Sequence, residues 1–295
     1  MFDILFAIFS QALPFLPLAF GISTSFTLLR ATDLSLDGSF VLGAVIFARL
    51  VTAGFPPIFA CFIAFIGGAL VGSFVSFIQK GGRVDPLLAG VLVVFILTSV
   101  NLIILGRPNI ALLSKTTLLS DAFNKSQFYG WCVTTVVCST LVFLSFVLIQ
   151  SRFGLLLRAL GDNPLLLQRM GYPVEKYRTA GFAFTNMLAA ASGVISAQLF
   201  GYADIGMGLG VTLTGICAIL LGQQFIKLIT KSNYTRNISE FFACLIGVCL
   251  YFAGINILLR LDVDPIYLKM ALGLTLILFL TTVNNNTSIP VKSSS

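Results

Sequence analysis

The chain has 295 residues, of which 57% are apolar and only 10% charged. Soluble domains carry about a quarter charged residues, so a mean hydropathy of +1.00 excludes a water-soluble enzyme, a disordered chain and a nucleic-acid-binding module. The net charge of +7, from 18 Lys and Arg against 11 Asp and Glu, falls mainly between apolar runs and reads as membrane topology rather than as a nucleic-acid footprint.

The chain has no histidine, which removes His-activated nucleophiles and the commonest zinc ligand. Its six cysteines, Cys61, Cys132, Cys138, Cys217, Cys244 and Cys249, lie in apolar stretches without a CxxC spacing and read as small hydrophobes. The start, Met1-Phe2-Asp3, lacks the basic region of a cleaved leader, so the first apolar run is expected to be a retained span.

A bilayer is crossed by helices of about 20 apolar residues or by closed barrels. Long continuous runs, not alternating ten-residue strands, fill this sequence. They predict an all-α polytopic membrane protein with about nine (8–10) spans, near residues 4–28, 38–55, 57–78, 87–105, 129–149, 179–200, 209–229, 238–259 and 266–283. Residues 1–283 are expected to form one transmembrane domain, and the polar stretch 284–295 a disordered tail. Pro14 and Pro17 are expected to kink the first run.

The segment from Gln150 to Arg178 holds Arg152, Arg158, Arg169, Lys176 and Arg178, the densest basic stretch, which places it in the cytoplasm. Counting outward gives an external N-terminus and a cytoplasmic C-terminus. Within this segment Asn163 suits a helix N-cap and Pro164 the first helical position. Gly171 suits the left-handed residue past the end. A two-turn helix from Pro164 to Met170 is predicted, with Arg169 in its last turn and Leu166, Leu167 and Met170 on one face. So short a helix is unstable alone; its apolar face must lie on the membrane surface or dock into a partner.

The run Arg158-Ala-Leu-Gly-Asp-Asn-Pro, followed by Met170-Gly171-Tyr172 and Lys176 to Arg178, resembles the coupling loop of bacterial ABC importer permeases of the branched-chain amino acid and ribose type. Two further stretches resemble that family, nearest its tryptophan/tyrosine-type branch. One is Asp33-Leu-Ser-Leu-Asp-Gly-Ser-Phe-Val-Leu-Gly-Ala44. The other is Phe184 to Gly193 with Gln198 and Gly201 to Gly210. The likeness covers about residues 20–225; the first span and residues 106–128 depart from it. It implies that Arg158, Gly161, Asp162, Asn163, Pro164 and Gly171, with the helix residues Leu166, Leu167, Arg169 and Met170, couple the chain to a separate ABC ATPase subunit. It also implies an extracytoplasmic substrate-binding lipoprotein and pairing with a second copy or a paralogous permease. The chain has no GxxxxGK[ST] phosphate loop, so ATP is expected to be used by the partner ATPase, with no cofactor bound by this chain. The expected location is the bacterial cytoplasmic membrane, as a multi-pass protein.

Charges inside a bilayer cost about 2.5–3.5 kcal/mol each at the centre of a span, and few are expected here. Asp33 and Asp37 are placed at the mouth of the second span, Asp37 as a cap of its own helix or as a gate. Ser25, Asn101, Asn186 and Gln198 are candidates for the pathway lining, the last two because their span is rich in small residues. The GxxxG at Gly68 and Gly72 is given little weight. Asp33-Leu leading into Gly38 faintly matches Asp204-Ile leading into Gly208, on opposite faces of the predicted topology, which would suit an inverted repeat. The scarcity of intramembrane carboxylates favours an ATPase-driven importer of a small, amino-acid-like solute over an ion-gradient-driven secondary transporter of a small neutral solute. An intramembrane enzyme has the poorest support.

Overall fold

The computed structural model describes residues 2–264 apart from 114 and 230–235, together with Tyr267, Met270, Gly273 and Leu274. Eight helices among the described residues are long and apolar enough to cross a membrane, each overlapping one of the expected spans. The ninth expected span, 266–283, and the tail 284–295 lie outside the described residues.

In chain order the helices are α1 (Phe2–Ser23), extended by a π-turn (Thr24–Leu28), α2 (Ser35–Thr52), α3 (Pro57–Gln79) and α4 (Pro86–Leu105). A short strand β1 (Asn109–Ala111) and α5 (Leu118–Lys125) follow. Then come α6 (Gln127–Gln150), α7 (Arg152–Asp162), α8 (Pro164–Arg169), α9 (Val174–Phe200) and β2 (Tyr202–Asp204). A 3-10 turn (Ile205–Gly208), α10 (Val211–Ile229) and α11 (Arg236–Arg260) complete the order. The region 106–128, featureless in sequence, thus contains a strand and a capped helix. β1 pairs antiparallel with β2, Ile110 opposite Ala203. Thr117 and Ser120 form a capping box at the start of α5.

The chain divides into two compact units, residues 12–216 and residues 1–11 with 217–295. The larger unit is organised around α9, the most buried of the candidate spans. Without water, helices associate by close van der Waals packing, which favours small residues. Here Gly43 of α2 meets Ala190, and a Cβ at Gly72 of α3 would collide with the Phe182 carbonyl. A Cβ at Gly68 would stand 2.6 Å from the Asn186 carbonyl oxygen. The GxxxG of α3 is therefore the seam against α9. Its weight is hard to read in a glycine-rich sequence, because only the partner helix distinguishes a seam from chance.

Two apolar clusters frame this seam. One joins α2, α3, α9 and the β1–β2 pair through Phe47, Ala64, Val194 and Ala203. The other ties α7 and α8 to α9 through Leu157, Leu160, Leu167 and Phe182. The large exposed side chains of α3, including Phe62, Ile66, Leu70 and Phe77, lie on the remaining side, as expected of a span that faces lipid. In the smaller unit α10 and α11 cross at Gly222 and Gly247, where added Cβ atoms would collide with the Ala243 and Ala218 carbonyls. There Asn256 Nδ2 donates to Gln11 Oε1 at 3.1 Å.

The six cysteines are unpaired, but Cys132 and Cys249 are exposed rather than buried; both lie on spans, where exposure does not mean contact with water.

Gly72→Leu is expected to destabilise the purified protein by about 1–3 kcal/mol or more through overpacking, read as a lower thermal midpoint in detergent. Leu70→Phe, on the exposed side of the same helix, is expected to leave the midpoint unchanged.

Candidate functional site

Two regions carry the residues singled out in the sequence. The first is the segment between α6 and α9. Ser151 starts α7, its hydroxyl accepting from Phe153 N at 3.2 Å. The 11-residue helix that follows has no counterpart in the sequence reading, although Ser151 before Arg152 is a legible cap. Gly161 lies so close to the Leu28 carbonyl that a Cβ would collide with it, which docks the end of α7 on the end of the α1 π-turn. Asn163 ends α7 and caps α8, its Oδ1 accepting from Leu166 N at 3.0 Å. Pro164 takes the first helical position and Gly171 has φ +84°, as the sequence predicts.

The apolar face differs from expectation. Leu167 is 4% exposed and packed with the α7–α9 cluster, whereas Leu166 and Met170 are 56% and 64% exposed. Leu165, not singled out in the sequence, is 66% exposed. The α8 helix thus has one leucine as an anchor, with Leu165, Leu166 and Met170 projecting away from it. Spacing alone groups Leu167 with Leu166 because Met170 lies three residues from one and four from the other. Only the position of α9 decides which leucine faces inward.

Polar contacts tie this segment to its surroundings. Asp162 pairs with Arg30 at 2.5 Å, both side chains partly exposed, a pair worth about 0–1 kcal/mol. Arg169 is exposed in the last turn of α8.

The second region is the core of the larger unit. The sequence places Asp33 and Asp37 at the mouth of a span; the structure buries Asp33 inside the bundle and leaves Asp37 half-buried against the start of α10. The chain leaves the π-turn, runs without regular structure through 29–34, and starts α2 level with Asn186. Asn186 stands near the middle of the 27-residue α9 and against Gly68, near the middle of α3. Asp33 is 2% exposed. Its Oδ1 accepts from Ser35 N at 2.9 Å and Ser35 Oγ at 2.6 Å, and its Oδ2 from Asn186 Nδ2 at 2.9 Å. Asn186 Oδ1 in turn accepts from Ser39 Oγ at 2.6 Å and lies 3.1 Å from Ser35 Oγ, sharing that hydroxyl's single proton with Asp33. Ser35 and Ser39 were not singled out in the sequence; the Asp33-x-Ser35 spacing and the i, i+4 serines are the signal that could have found them.

Asp37 caps another helix rather than its own. Its Oδ2 accepts from Gly210 N at 3.0 Å and its Oδ1 from Thr212 N at 2.6 Å, so the first turn of α10 also starts inside the bundle, beside the first turn of α2. Gly208 approaches the Asp37 carbonyl, where an added Cβ would stand 2.5 Å away. Asp204 repeats the local pattern of Asp33, its Oδ1 accepting from the amide two residues on, Gly206 N, at 2.7 Å.

The other pathway candidates have separate settings. Ser25 donates to the Ile22 carbonyl at 3.1 Å within its own helix. Asn101 Nδ2 donates to the Gly38 carbonyl at 3.3 Å across α4 and α2. Gln198 is not in the core network; its Oε1 accepts from Leu119 N at 3.3 Å and fixes α5 to α9. The structure brings together Asp33 and Asn186 but not Ser25 or Gln198.

Asp37→Ala is expected to leave the two amides at the start of α10 without acceptors. The cost should be about 1–3 kcal/mol, with faster hydrogen exchange at Gly210 and Thr212 and a lower thermal midpoint.

Comparison with known proteins gives the family of the chain. The family model described as branched-chain amino acid transport system / permease component matches residues 4–283. The uncharacterised protein RP368 of Rickettsia prowazekii (strain Madrid E) is 42% identical over 282 residues, covering 95% of this chain and 98% of that one. A tyrosine transport system permease protein of Clostridioides difficile (strain R20291) is 29% identical over 287 residues, 96% of this chain and 92% of that one. The nucleoside ABC transporter permease protein NupC of Lactococcus lactis subsp. cremoris (strain MG1363) is 27% identical over 216 residues, 65% of this chain and 66% of that one. Eight candidate spans and a family match along nearly the whole chain identify a multi-pass permease of the inner membrane, a non-enzymatic ABC-type subunit that moves a small solute and belongs to the branched-chain amino acid transport permease family.

Proposed function

We propose that this permease is the membrane subunit of an importer powered by a separate ATPase, and that α7 and α8 form its cytoplasmic coupling segment. The observation that carries the reading is the split of the α8 leucines. Leu167 is held in the core while Leu165, Leu166 and Met170 project. A helix of six residues has no stability of its own; the Asn163 cap, Pro164 and the Leu167 anchor keep it formed. Its projecting apolar side chains suit a cleft on an ATPase, and its anchor transmits movement of that cleft to α9. The contact of Gly161 with Leu28 and the Arg30–Asp162 pair carry the same movement to the break before α2. Under this reading Arg158 and Arg169 flank the docking face.

Alternating access then works on the core. The starts of α2 and α10 meet inside the bundle through Asp37, and Asp33 and Asp204 each bind the amide two residues on. This supports an inverted relation between the two broken segments, with Asn186 and Asn101 beside the route of the solute. The solute is proposed to be an amino acid. The family description and the relative named for tyrosine transport support this, and the match to the nucleoside permease is shorter. A substrate-binding lipoprotein and a second permease copy or paralogue complete the proposed assembly.

A second reading rests on a specific observation. Asp33 is buried in the bundle and Asp37 half-buried beside it, and a proton-driven transporter would need carboxylates so placed. Their oxygens are taken up by N–H and O–H donors, which fits capping. Uptake in cells treated with a protonophore but supplied with ATP separates the two: it is expected to persist, and its loss would favour proton coupling.

Leu166→Asp combined with Leu165→Asp is expected to leave the chain folded in the membrane while abolishing ATPase capture and transport. Leu167→Ala is expected instead to destabilise the permease itself by about 2–5 kcal/mol. Equal effects at all three positions would remove the docking role. In cells, deletion of this permease is expected to abolish uptake of labelled tyrosine or leucine and to spare uridine; the reverse pattern would assign a nucleoside.

A further inference from the structure

A cleft of about 290 Å³ opens at the end of the larger unit that carries α7 and α8. Its lining includes Arg30 from the break before α2, Gln79 from the end of α3, Gly82 from the α3–α4 turn, Leu160 and Gly161 from α7, and Arg178 from α9. The rest of the lining is mostly apolar.

Gln79 is the notable member. It is 3% exposed, yet among the described residues its Nε2 finds no acceptor. A buried donor without an acceptor costs about 1–3 kcal/mol, so a site that retains one is expected to meet an acceptor from outside the chain. The arginines supply further donors. Arg30 contacts Asp162 and Arg178 contacts Glu175 at 3.5 Å, which balances their charge. A guanidinium has five N–H donors in a fixed fork, more than the one carboxylate that each of these arginines meets can accept. Lys80 and Arg83 stand with Asp85 in the same turn as Gly82, and Arg152, Arg158 and Arg169 with Asp162 on α7 and the last turn of α8, so basic residues outnumber acidic ones in these segments.

We infer that this cleft binds a phosphate oxyanion, held by Gln79 Nε2 and the unused donors of Arg30 and Arg178. Its position specifies the commonest source. Gln79 ends α3 and Pro86 begins α4, so the cleft lies where spans leave the hydrocarbon and phospholipid headgroups begin. An anionic lipid phosphate with its glycerol against the apolar wall satisfies the lining; a soluble phosphate satisfies only the donors. The occupant would touch the break before α2, the α3–α4 turn, α7 and α9 together. It would brace the segment proposed above to carry movement, although the site itself does not depend on that role.

The test is thermal unfolding of the full chain in a sugar detergent, with phosphatidylglycerol, with diacylglycerol of the same chains, or with inorganic phosphate. Phosphatidylglycerol is expected to raise the midpoint where diacylglycerol does not. Gln79→Leu and Arg178→Gln are each expected to weaken lipid retention about tenfold, the equivalent of 1.4 kcal/mol. Stabilisation by inorganic phosphate alone, lost in both variants, would assign a soluble oxyanion to the same site. A midpoint unmoved by either phosphate source would overturn the inference. So would a gain of equal size in both variants. Gln79→Leu also guards against misfolding as an explanation: replacing an unpaired buried amide by an apolar side chain leaves the ligand-free midpoint equal or higher if the fold is kept.

Discussion

A helix that starts inside a bundle leaves its first amides where water cannot satisfy them, and the core of this permease is arranged around two such starts. Asp33 takes the first amide of α2, and Asp37 takes two amides at the start of α10. The serines and Asn186 then saturate the remaining oxygens of this network. A carboxylate in this position is a structural acceptor first, since its oxygens point at donors fixed by the backbone. The small residues of α9 and the glycines of α2 and α3 follow from the same constraint. Helices must approach closely for Ser35 and Ser39 to reach Asn186, and Gly43, Gly68 and Gly72 permit that approach.

The α7–α8 segment is connected to this core by short steps. Leu167 and Leu160 pack with Phe182 of α9 in one cluster, and Phe182 lies one helical turn before Asn186, accepting from its Nδ2 at 3.0 Å. Gly161 reaches Leu28, just before the break that ends at Asp33. A displacement of α8 therefore meets both sides of the polar network within a few contacts. This is a route by physical adjacency; its energetic coupling is what the leucine substitutions measure.

Most of the fold was legible because a bilayer imposes a single requirement on every span. Long apolar runs located eight helices, and Asn163, Pro164 and Gly171 marked α8 because caps are set by neighbours in sequence. What escaped depends on partners far along the chain. Asp37 could not be matched to Gly210 and Thr212, more than 170 residues away. Leu167 could not be told from Leu166 without α9. The depth of Asp33 is not legible in the sequence, because only the packed structure shows that residues 29–34 return into the bundle before α2 begins. Gln198 had the neighbours of a pathway residue, but its partner is the start of α5.

The central claim is that α8 projects from the cytoplasmic face with Leu166 outward and Leu167 inward. Labelling by a membrane-impermeant thiol reagent tests it most directly, using single Leu166→Cys and Leu167→Cys variants in a background whose native cysteines are replaced. The account predicts rapid labelling of Leu166→Cys in inside-out vesicles, none in right-side-out vesicles, and slow labelling of Leu167→Cys in both. Labelling of Leu166→Cys from the outside, or protection from both sides, would contradict it.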